Sequence, residues 1–374
     1  MSSKNLKINF FGTIQEHKYL KKELISSVEK TIISGQSLQG KQVPKFEKKF
    51  ALMHKRKFAI AVNSCTDALY FALLSLDLKK NDEILVPSYS FLATATCIAR
   101  IGAKPVFIDV NDEGLLDLKK AKKKLTKKTR AIIYVNLYGL FQKPEAIISF
   151  ARLNNLFLIE DNAQAMGAQS NSYIAGSIGY ISCFSFDPTK VLSAIGSGGM
   201  ILTNSQKVKN KLQSLRYHGK SIKGSFDELG YNSQMPTLIA AALLVKLKYY
   251  KQFRKKRILV AKQYITGLKE LPIELPKYNK NLENIYHKFV IKTKHRDGLK
   301  MFLEKKGISC MIHYKYILPN LKIFNNLKKD NFNNSIKLSK MSLSLPIHPF
   351  LSQKEINYII SQIRNFFYSI KSHV

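Results

Sequence analysis

The chain has 374 residues, of which 45% are hydrophobic, so it can bury the core of one large domain and a smaller one. Its formal net charge of +36 comes mostly from lysines spread along the chain, and no basic module with interleaved aromatic residues occurs, so we expect no nucleic-acid partner. Widely separated cysteines, a start without a signal-peptide pattern and the lack of an apolar run of about 18 residues favour a cytoplasmic protein without a membrane partner.

Apolar residues at helical spacing predict helices at 21–33 and 45–53. From residue 58 onward, apolar runs of strand length alternate with helical stretches. We predict strands at 58–62, 83–87, 104–110, 131–137 and 156–159. This alternation is typical of an α/β fold whose mostly parallel sheet has helices on both faces.

The C-terminal third reads as a separate unit. A long apolar helix begins at residue 237 and leads into the basic segment 251–256, where we place the start of a smaller domain. The predicted domains are therefore a large one, residues 1–248, and a small α+β one, residues 249–374. Within the small domain we predict strands at 287–292 and 309–313 and a last helix at 354–367.

A candidate anion site follows the strand at 58–62, where N-S-C-T-D-A-L begins a helix at residues 63–67. The first turn of a helix presents free backbone N–H groups and the positive end of the helix dipole, and both attract phosphate. We therefore predict that the amides of Cys65 and Thr66, with the Thr66 hydroxyl, bind a phosphate group. An ordinary helix cap would use the same groups.

An isolated lysine, Lys190, lies in the turn of the stretch C-F-S-F-D-P-T-K-V-L-S-A-I-G-S-G-G-M-I-L-T-N, residues 183–204. Its sequence neighbours are aromatic, hydroxyl and apolar residues, with Asp187 as the one other charge. Burial of such a lysine lowers its pKa and frees the amine to form a Schiff base with an aldehyde cofactor. A lysine on an ordinary hairpin is the alternative.

An apolar run at 156–159 breaks into Glu160 and Asp161, as a buried parallel strand does at its carboxyl end. Ligands of open α/β sheets bind at that edge. On the loop that we predict there, Asp161 offers a carboxylate and Gln164 an amide. A carboxylate can keep a pyridinium nitrogen protonated and an amide can hydrogen-bond a phenolic oxygen, which is how proteins tune pyridoxal 5'-phosphate (PLP). A helix-capping acidic pair would explain Asp161 but not the lysine that follows.

The sequence resembles the DegT/StrS family of PLP-dependent nucleotide-sugar aminotransferases, which have the aspartate aminotransferase fold (fold type I). The likeness covers nearly the whole chain. It rests on S-G-Q-S-L-Q-G, N-S-C-T-D-A-L, P-S-Y-S-F-L-A-T-A, E-D-N-A-Q-A-M-G-A, F-S-F-D-P-T-K, G-S-G-G-M, G-Y-N-S-Q-M and L-S-L-P-I-H-P.

The resemblance implies a role for each matching residue around the cofactor ring. Lys190 would hold the cofactor covalently and then move the proton between substrate and cofactor. Asp161 would keep the ring nitrogen protonated, and Gln164 would hydrogen-bond the ring oxygen. Phe91 would stack on the ring face and exclude water from it.

The resemblance also implies a phosphate site and a partner subunit. Ser185 would bind the cofactor phosphate beside Thr66. Asn232 would reach into the active site of a second copy, which implies a homodimer with two shared sites. The amino donor would be L-glutamate, and the acceptor would be a keto sugar on a nucleoside diphosphate, for surface polysaccharide or another amino-sugar glycoconjugate.

Within the family, Asp67, the segment N-L-Y-G at 136–139 and Ser233 resemble the branch that aminates C3 of the sugar, whereas a C4 enzyme more often has alanine and an aromatic residue at the positions of Asp67 and Ser233. Amination at C4 stays open. The sugar dehydratase branch replaces the covalent lysine by histidine, so Lys190 argues against it.

Two departures from the family pattern keep a non-catalytic regulatory relative open as a further alternative. Cys65 replaces the usual glycine of the phosphate turn, and Gln234 replaces the usual arginine of an anion contact.

Overall fold

The structure is a computed structural model, and it describes residues 7–141, 143–277, 282–327 and 330–371. Its helices are α1 (Thr13–Ile33), α2 (Gln42–Met53), α3 (Cys65–Leu74), α4 (Ala93–Arg100), α5 (Leu118–Lys122), α6 (Pro144–Leu153), α7 (Gln206–Arg216), α8 (Thr237–Leu268), α9 (Arg296–Lys305), α10 (Asn333–Met341) and α11 (Gln353–Lys371). Its strands are β1 (Phe58–Val62), β2 (Glu83–Pro87), β3 (Lys104–Ile108), β4 (Thr129–Val135), β5 (Phe157–Asp161), β6 (Gln169–Ser170), β7 (Tyr173–Ile174), β8 (Ile181–Ser185), β9 (Gly199–Thr203), β10 (Leu282–Glu283), β11 (Phe289–Lys292) and β12 (Ser342–Leu345).

Within the described residues, seven strands form a central sheet in the order β1-β9-β8-β5-β4-β2-β3. Strand β9 pairs antiparallel with both β1 and β8, and the remaining pairs are parallel, so six strands share one direction. The predicted α/β fold with a mostly parallel sheet is confirmed. Because the six strands share one direction, their carboxyl ends meet at one edge of the sheet.

Burial explains why the strand sequences are almost continuously apolar. Every residue of β2, E-I-L-V-P, and of β9, G-M-I-L-T, is buried, which is typical of strands covered on both faces. Helix α3 is buried from Ala68 to Leu73 and lies against β8 and β9. The start of α3 is therefore held firmly at the edge where the strands end.

A second core lies in the C-terminal part of the chain. It joins β11, β12, α9 and α11 to the second half of α8 and to Ile8. Helix α8 belongs to both cores, since Ala240 and Leu243 pack in the large unit and Val260 and Tyr264 pack in the second core. The helix runs unbroken through the proposed domain boundary at residues 248 and 249, and that boundary stays a prediction.

Buried Asp109, just after β3, ties the C-terminal part to the sheet. Its carboxylate accepts hydrogen bonds from the backbone N–H groups of Asn334 (3.2 Å) and Ser335 (3.0 Å), at the start of α10. Lys120 pairs with the same carboxylate at 2.7 Å. This contact fixes the C-terminal segment over the carboxyl edge of the sheet.

Two predictions of secondary structure were wrong. The strand predicted at 309–313 does not form. Its described residues form no ladder: Met311 makes only an isolated bridge to Ser344 of β12, the alternating segment S-L-S-L that ends before Pro346 and pairs with β11. The strand predicted at 156–159 extends as β5 through Asp161, so Asp161 ends the strand and does not lie on a loop after it.

All four cysteines are buried and free. Across the described ranges, no helix combines the length and the apolar character that a membrane crossing requires.

Candidate active site

A cavity of about 440 Å³ lies at the carboxyl edge of the sheet. Seven of the eight residues proposed from the sequence line it: Cys65, Thr66, Phe91, Asp161, Gln164, Ser185 and Lys190. The eighth, Asn232, is exposed on the surface outside this lining. The fold thus collects side chains from four separate motifs into one site.

The N-terminus of α3 forms one end of the cavity. Ser64 caps the helix, because its hydroxyl accepts a hydrogen bond from Asp67 N at 3.0 Å. Helix geometry leaves the N–H groups of Cys65 and Thr66 without partners inside the helix. A side chain at Gly199 would place Cβ 2.3 Å from Ser64 O, so glycine lets β9 pack against this turn. Since Cys65 already has helical conformation, the missing glycine of the family pattern does not disturb the turn.

Asp161 is buried at the carboxyl end of β5, with 4% of its surface exposed. Its carboxylate accepts hydrogen bonds from Thr94 Oγ1 at 2.9 Å and from Ala163 N at 3.1 Å. Burial raises the pKa of this carboxyl, against the opposing effects of those hydrogen bonds and of the Lys190 charge. A buried carboxylate without a full counter-charge is suited to a protonated ring nitrogen.

Glu160 precedes Asp161 but points to the other side of the sheet, as alternation along a strand requires. Its carboxylate accepts hydrogen bonds from the backbone N–H groups of Gly176, Ile178 and Gly179 and from the Ser182 hydroxyl. The two acidic residues of E-D-N-A-Q therefore have different functions: Glu160 holds a loop, and Asp161 faces the cavity.

The amide of Gln164 is held at both ends. Its Oε1 accepts a hydrogen bond from Tyr138 N at 2.8 Å, and its Nε2 donates to Tyr314 Oη at 2.9 Å. Tyr314 was missed by the sequence reasoning. Its ring centroid lies 6.4 Å from that of Phe91, which is exposed at the cavity wall. Tyr314 thus orients the amide and borders the space that Phe91 faces.

Lys190 lies half-buried on the loop after β8. The loop is braced from α8, because buried Lys246 donates to Ser193 Oγ at 2.9 Å and pairs with Glu16 at 2.7 Å. Among its sequence neighbours Lys190 has Asp187 as the one other charge, but the fold brings further charges to it. The charge of Lys190 also affects the pKa values of Asp161 and Lys288, which the fold brings in from other segments.

The segment 287–314 supplies a second wall that the sequence reasoning did not identify. It contributes His287, Lys288, His313 and Tyr314. Burial, with the charges of Lys288 and Lys190, lowers the pKa of His313 to about 3, and its Nδ1 lies 2.9 Å from Ser344 Oγ. The pKa of His287 is also well below its usual value because the ring is buried. Two features of the sequence could have indicated these four residues. The pair H-K stands directly before an apolar strand, and the pair H-Y follows C-M-I.

The two residues that suggested C3 amination contact each other. Ser233 Oγ donates to Asp67 Oδ2 at 2.7 Å, and Asn63 N donates to Ser233 Oγ at 3.2 Å. They are therefore one linked feature, which joins the loop of Asn232 to the start of α3. Gln234, beside them, accepts a hydrogen bond from Gln39 Nε2 at 2.8 Å.

A half-buried lysine, a buried carboxylate and a helix N-terminus around one cavity at the carboxyl edge of a mostly parallel sheet are the features of a PLP-dependent enzyme of fold type I. The chain belongs to the DegT/DnrJ/EryC1/StrS aminotransferase family, whose profile matches residues 18–364. The enzyme is thus a PLP-dependent aminotransferase, and the residues around the cavity fit that cofactor.

Two curated relatives are similar over nearly their full length. One, named a pleiotropic regulatory protein, from Geobacillus stearothermophilus, is 34% identical over 94% of this chain and 96% of its own. The other, the UDP-N-acetyl-3-dehydro-alpha-D-glucosamine 3-aminotransferase of Acidithiobacillus ferrooxidans, is 34% identical over 92% of this chain and 94% of its own. Among solved structures, NtdA of Bacillus subtilis with bound cofactor PMP is 25% identical, with a TM-score of 0.91, over 98% of this chain and 87% of its own.

Proposed function

We propose that this enzyme transfers the amino group of L-glutamate to a keto group at C3 of a sugar carried on a nucleoside diphosphate. The main observation in support of the proposal is that Lys190, Asp161 and Gln164 line one cavity. The name of the Acidithiobacillus relative supports a nucleotide sugar and amination at C3. The product would enter surface polysaccharide or another amino-sugar glycoconjugate, and we place the reaction in the cytoplasm.

Bound PLP supplies an electron sink for the carbon that loses a proton. In the proposed reaction, the Lys190 amine would hold the cofactor covalently. Once an amino donor has freed it, the same amine would act as the general base and acid that takes up the proton of the donor carbon and gives it back. The half-buried position of Lys190 and the bracing of its loop by Lys246 support this role, because a proton-transfer group must be held in place.

The remaining groups orient the cofactor and tune its charge. Asp161 keeps the ring nitrogen protonated, so that negative charge spreads from the reacting carbon into the ring. Gln164, oriented by Tyr138 N and Tyr314 Oη, donates to the ring oxygen. The N–H groups of Cys65 and Thr66, with Ser185, bind the phosphate.

We also propose a homodimer in which Asn232 completes the site of the partner subunit. Exposure of Asn232 outside its own cavity supports this arrangement. Helix α1 carries exposed apolar side chains suited to an interface: Ile14, Tyr19, Ile25, Ile32 and Ile33.

The visible absorption spectrum of the PLP-loaded protein, recorded before and after L-glutamate, tests the proposal. We expect a visible band from the lysine-linked cofactor, its loss on addition of glutamate, and no such band in Lys190→Ala. A protein that binds PLP but does not respond to glutamate would overturn the donor assignment. With a C3-keto and a C4-keto nucleotide sugar offered in parallel, amination of the C4 substrate alone would overturn the assignment of position.

A further inference from the structure

Lys288 is a buried lysine in the wall of the cavity, immediately before β11. It is 5% exposed, and it also lines a neighbouring cavity of about 270 Å³. Its Nζ lies 4.3 Å from the ring centroid of Phe11 and 4.9 Å from that of Phe10. Aromatic faces stabilise a cation but do not replace the water it loses on burial.

Within the described part of the chain, no carboxylate lies within ion-pair distance of Lys288. Burial, Lys190 and Arg257 together lower its pKa to about 6, and Asp187 opposes them. Lys246 provides the contrast, because it is as deeply buried but is paired with Glu16 at 2.7 Å. Among the described residues, Lys288 is therefore a deeply buried lysine without a carboxylate partner, unlike Lys246.

Other cations near this wall are already engaged. The Arg257 guanidinium donates to the backbone carbonyls of Ile347 (2.6 Å) and Tyr286 (3.4 Å). Burial lowers the pKa of the neighbouring His313 to about 3, so this imidazole takes up a proton less readily than the Lys288 amine, whose pKa is about 6, and burial lowers the pKa of His287 as well. Lys288 is thus the side chain of the second wall best able to become a cation when an anion binds beside it.

Lys288 and Lys190 line the same cavity, so an anion bound by Lys288 lies in the space that Lys190 also borders. A phosphate already has a site across the cavity at the start of α3. An amino donor, in contrast, carries a carboxylate on the same carbon as the reacting amine. When the amine of the donor lies at Lys190, its carboxylate must therefore lie against a side chain of the cavity wall nearby.

We infer that Lys288 binds the carboxylate of the amino donor and so positions it for transfer at Lys190. The inference rests on the proposed function. On binding, the carboxylate supplies the counter-charge that Lys288 lacks, and the aromatic rings of Phe10 and Phe11 exclude water from the pair.

Isothermal titration of the PLP-loaded enzyme with glutarate, an unreactive dicarboxylate, tests this. In Lys288→Met the apolar stem is kept and the charge removed, and we expect glutarate to bind at least about tenfold more weakly. Lys288→Arg should stay within about threefold of wild type, since a charged donor is retained. The matched control is Lys292→Met, because Lys292 lines only the neighbouring cavity and pairs with Glu274. It should bind glutarate as wild type does.

UDP is titrated in parallel. A Lys288→Met variant that binds glutarate normally, or that loses affinity for UDP instead, overturns the inference. The visible cofactor band of each variant checks folding, and Lys288→Gln serves if Lys288→Met lacks the band. A wild-type enzyme that responds to L-glutamate while Lys288→Met keeps its glutarate affinity contradicts this inference alone. A wild type that does not respond contradicts the proposed function.

Discussion

The two walls of the cavity differ in origin and in chemistry. The first comes from the carboxyl ends of β5 and β8 and the start of α3, and it offers a carboxylate, an amide, hydroxyls and Lys190. The second comes from the segment 287–314 and offers two neutral imidazoles, Tyr314 and the buried Lys288. Groups suited to tune a cofactor and a group suited to bind an anion therefore line the same cavity.

Removal of the Lys190 amine from the first wall should have the largest effect. Lys190→Ala is expected to lower kcat by about 10⁴-fold or more, because covalent attachment and proton transfer are both lost. Steady-state assays measure this. The control is Lys207→Ala, an exposed lysine paired with Asp77. Comparable activity in both variants would show that Lys190, and with it the first wall, does not take part in the reaction.

The adjacent acids of β5 should separate chemistry from stability. Asp161→Asn is expected to lower kcat by about 10²-fold to 10⁴-fold, since the ring nitrogen loses its counter-charge. Its thermal midpoint should change little, because the variant removes a buried charge.

Glu160→Gln is the counterpart, and it should cost about 1–3 kcal/mol of unfolding free energy, because it weakens hydrogen bonds from buried backbone N–H groups. Thermal unfolding and steady-state kinetics of Asp161→Asn and Glu160→Gln test both expectations. An unstable Asp161→Asn with normal kcat would reverse the two assignments.

Tyr314→Phe tests whether the second wall orients the first. Loss of the hydrogen bond from Gln164 Nε2 should cost about 0.5–1.5 kcal/mol, or roughly three- to tenfold in kcat/KM. The absorption maximum of the bound cofactor should also shift, because the Gln164 amide, which we propose to bind the ring oxygen, loses its hydrogen-bond partner. Tyr316→Phe, at an exposed tyrosine, is the control. Identical spectra and rates for both variants would show that Tyr314 only packs.

The smallest effect is expected from His54, a residue that supports the first wall. His54 is fully buried and packs against Phe184 of β8, and its Nδ1 lies 2.9 Å from Ala175 O. Burial lowers the pKa of His54 from 6.5 to about 4. Since the folded pKa lies below the unfolded one, the unfolded chain binds more protons between these values, and stability falls as the pH falls from 6.5 to 4. Between pH 6.5 and 5 the loss is about 2 kcal/mol.

Urea unfolding at pH 7 and pH 5 measures this. His54→Gln should reduce the difference between the two pH values, whereas His295→Gln, at an exposed histidine, should leave it unchanged. Equal pH dependence in wild type and His54→Gln would contradict the assignment.

The two walls also differ in how far the sequence predicted them. The first consists of short motifs whose residue types imply their chemistry, so Asp161, Gln164 and Lys190 could be named from the sequence. The directions of the side chains in the first wall could not be predicted. Glu160 and Asp161 point to opposite sides of the sheet only because both belong to β5, and the sequence did not show that the strand extends to Asp161. That most central strands are parallel could be predicted, because runs of strand length alternate with helical stretches along the sequence.

The second wall could not be predicted, because its residues act only after distant segments meet. Lys288 sits in an unremarkable apolar context, and its importance comes from the rings of Phe10 and Phe11, nearly 280 positions earlier. Tyr314 matters through Gln164, 150 positions away in the chain. The strand error at 309–313 also concerns contacts between distant segments, since that segment meets β12 only through the isolated bridge of Met311 with Ser344.

Two lysines, Lys190 and Lys288, line the cavity, and we propose that the cofactor binds to Lys190. Borohydride reduction of the PLP-loaded protein makes the carbon–nitrogen link permanent, and peptide mass spectrometry then locates it. We expect a phosphopyridoxyl group on Lys190 and an unmodified Lys288. A phosphopyridoxyl group on Lys288, or on neither lysine, would contradict the proposal.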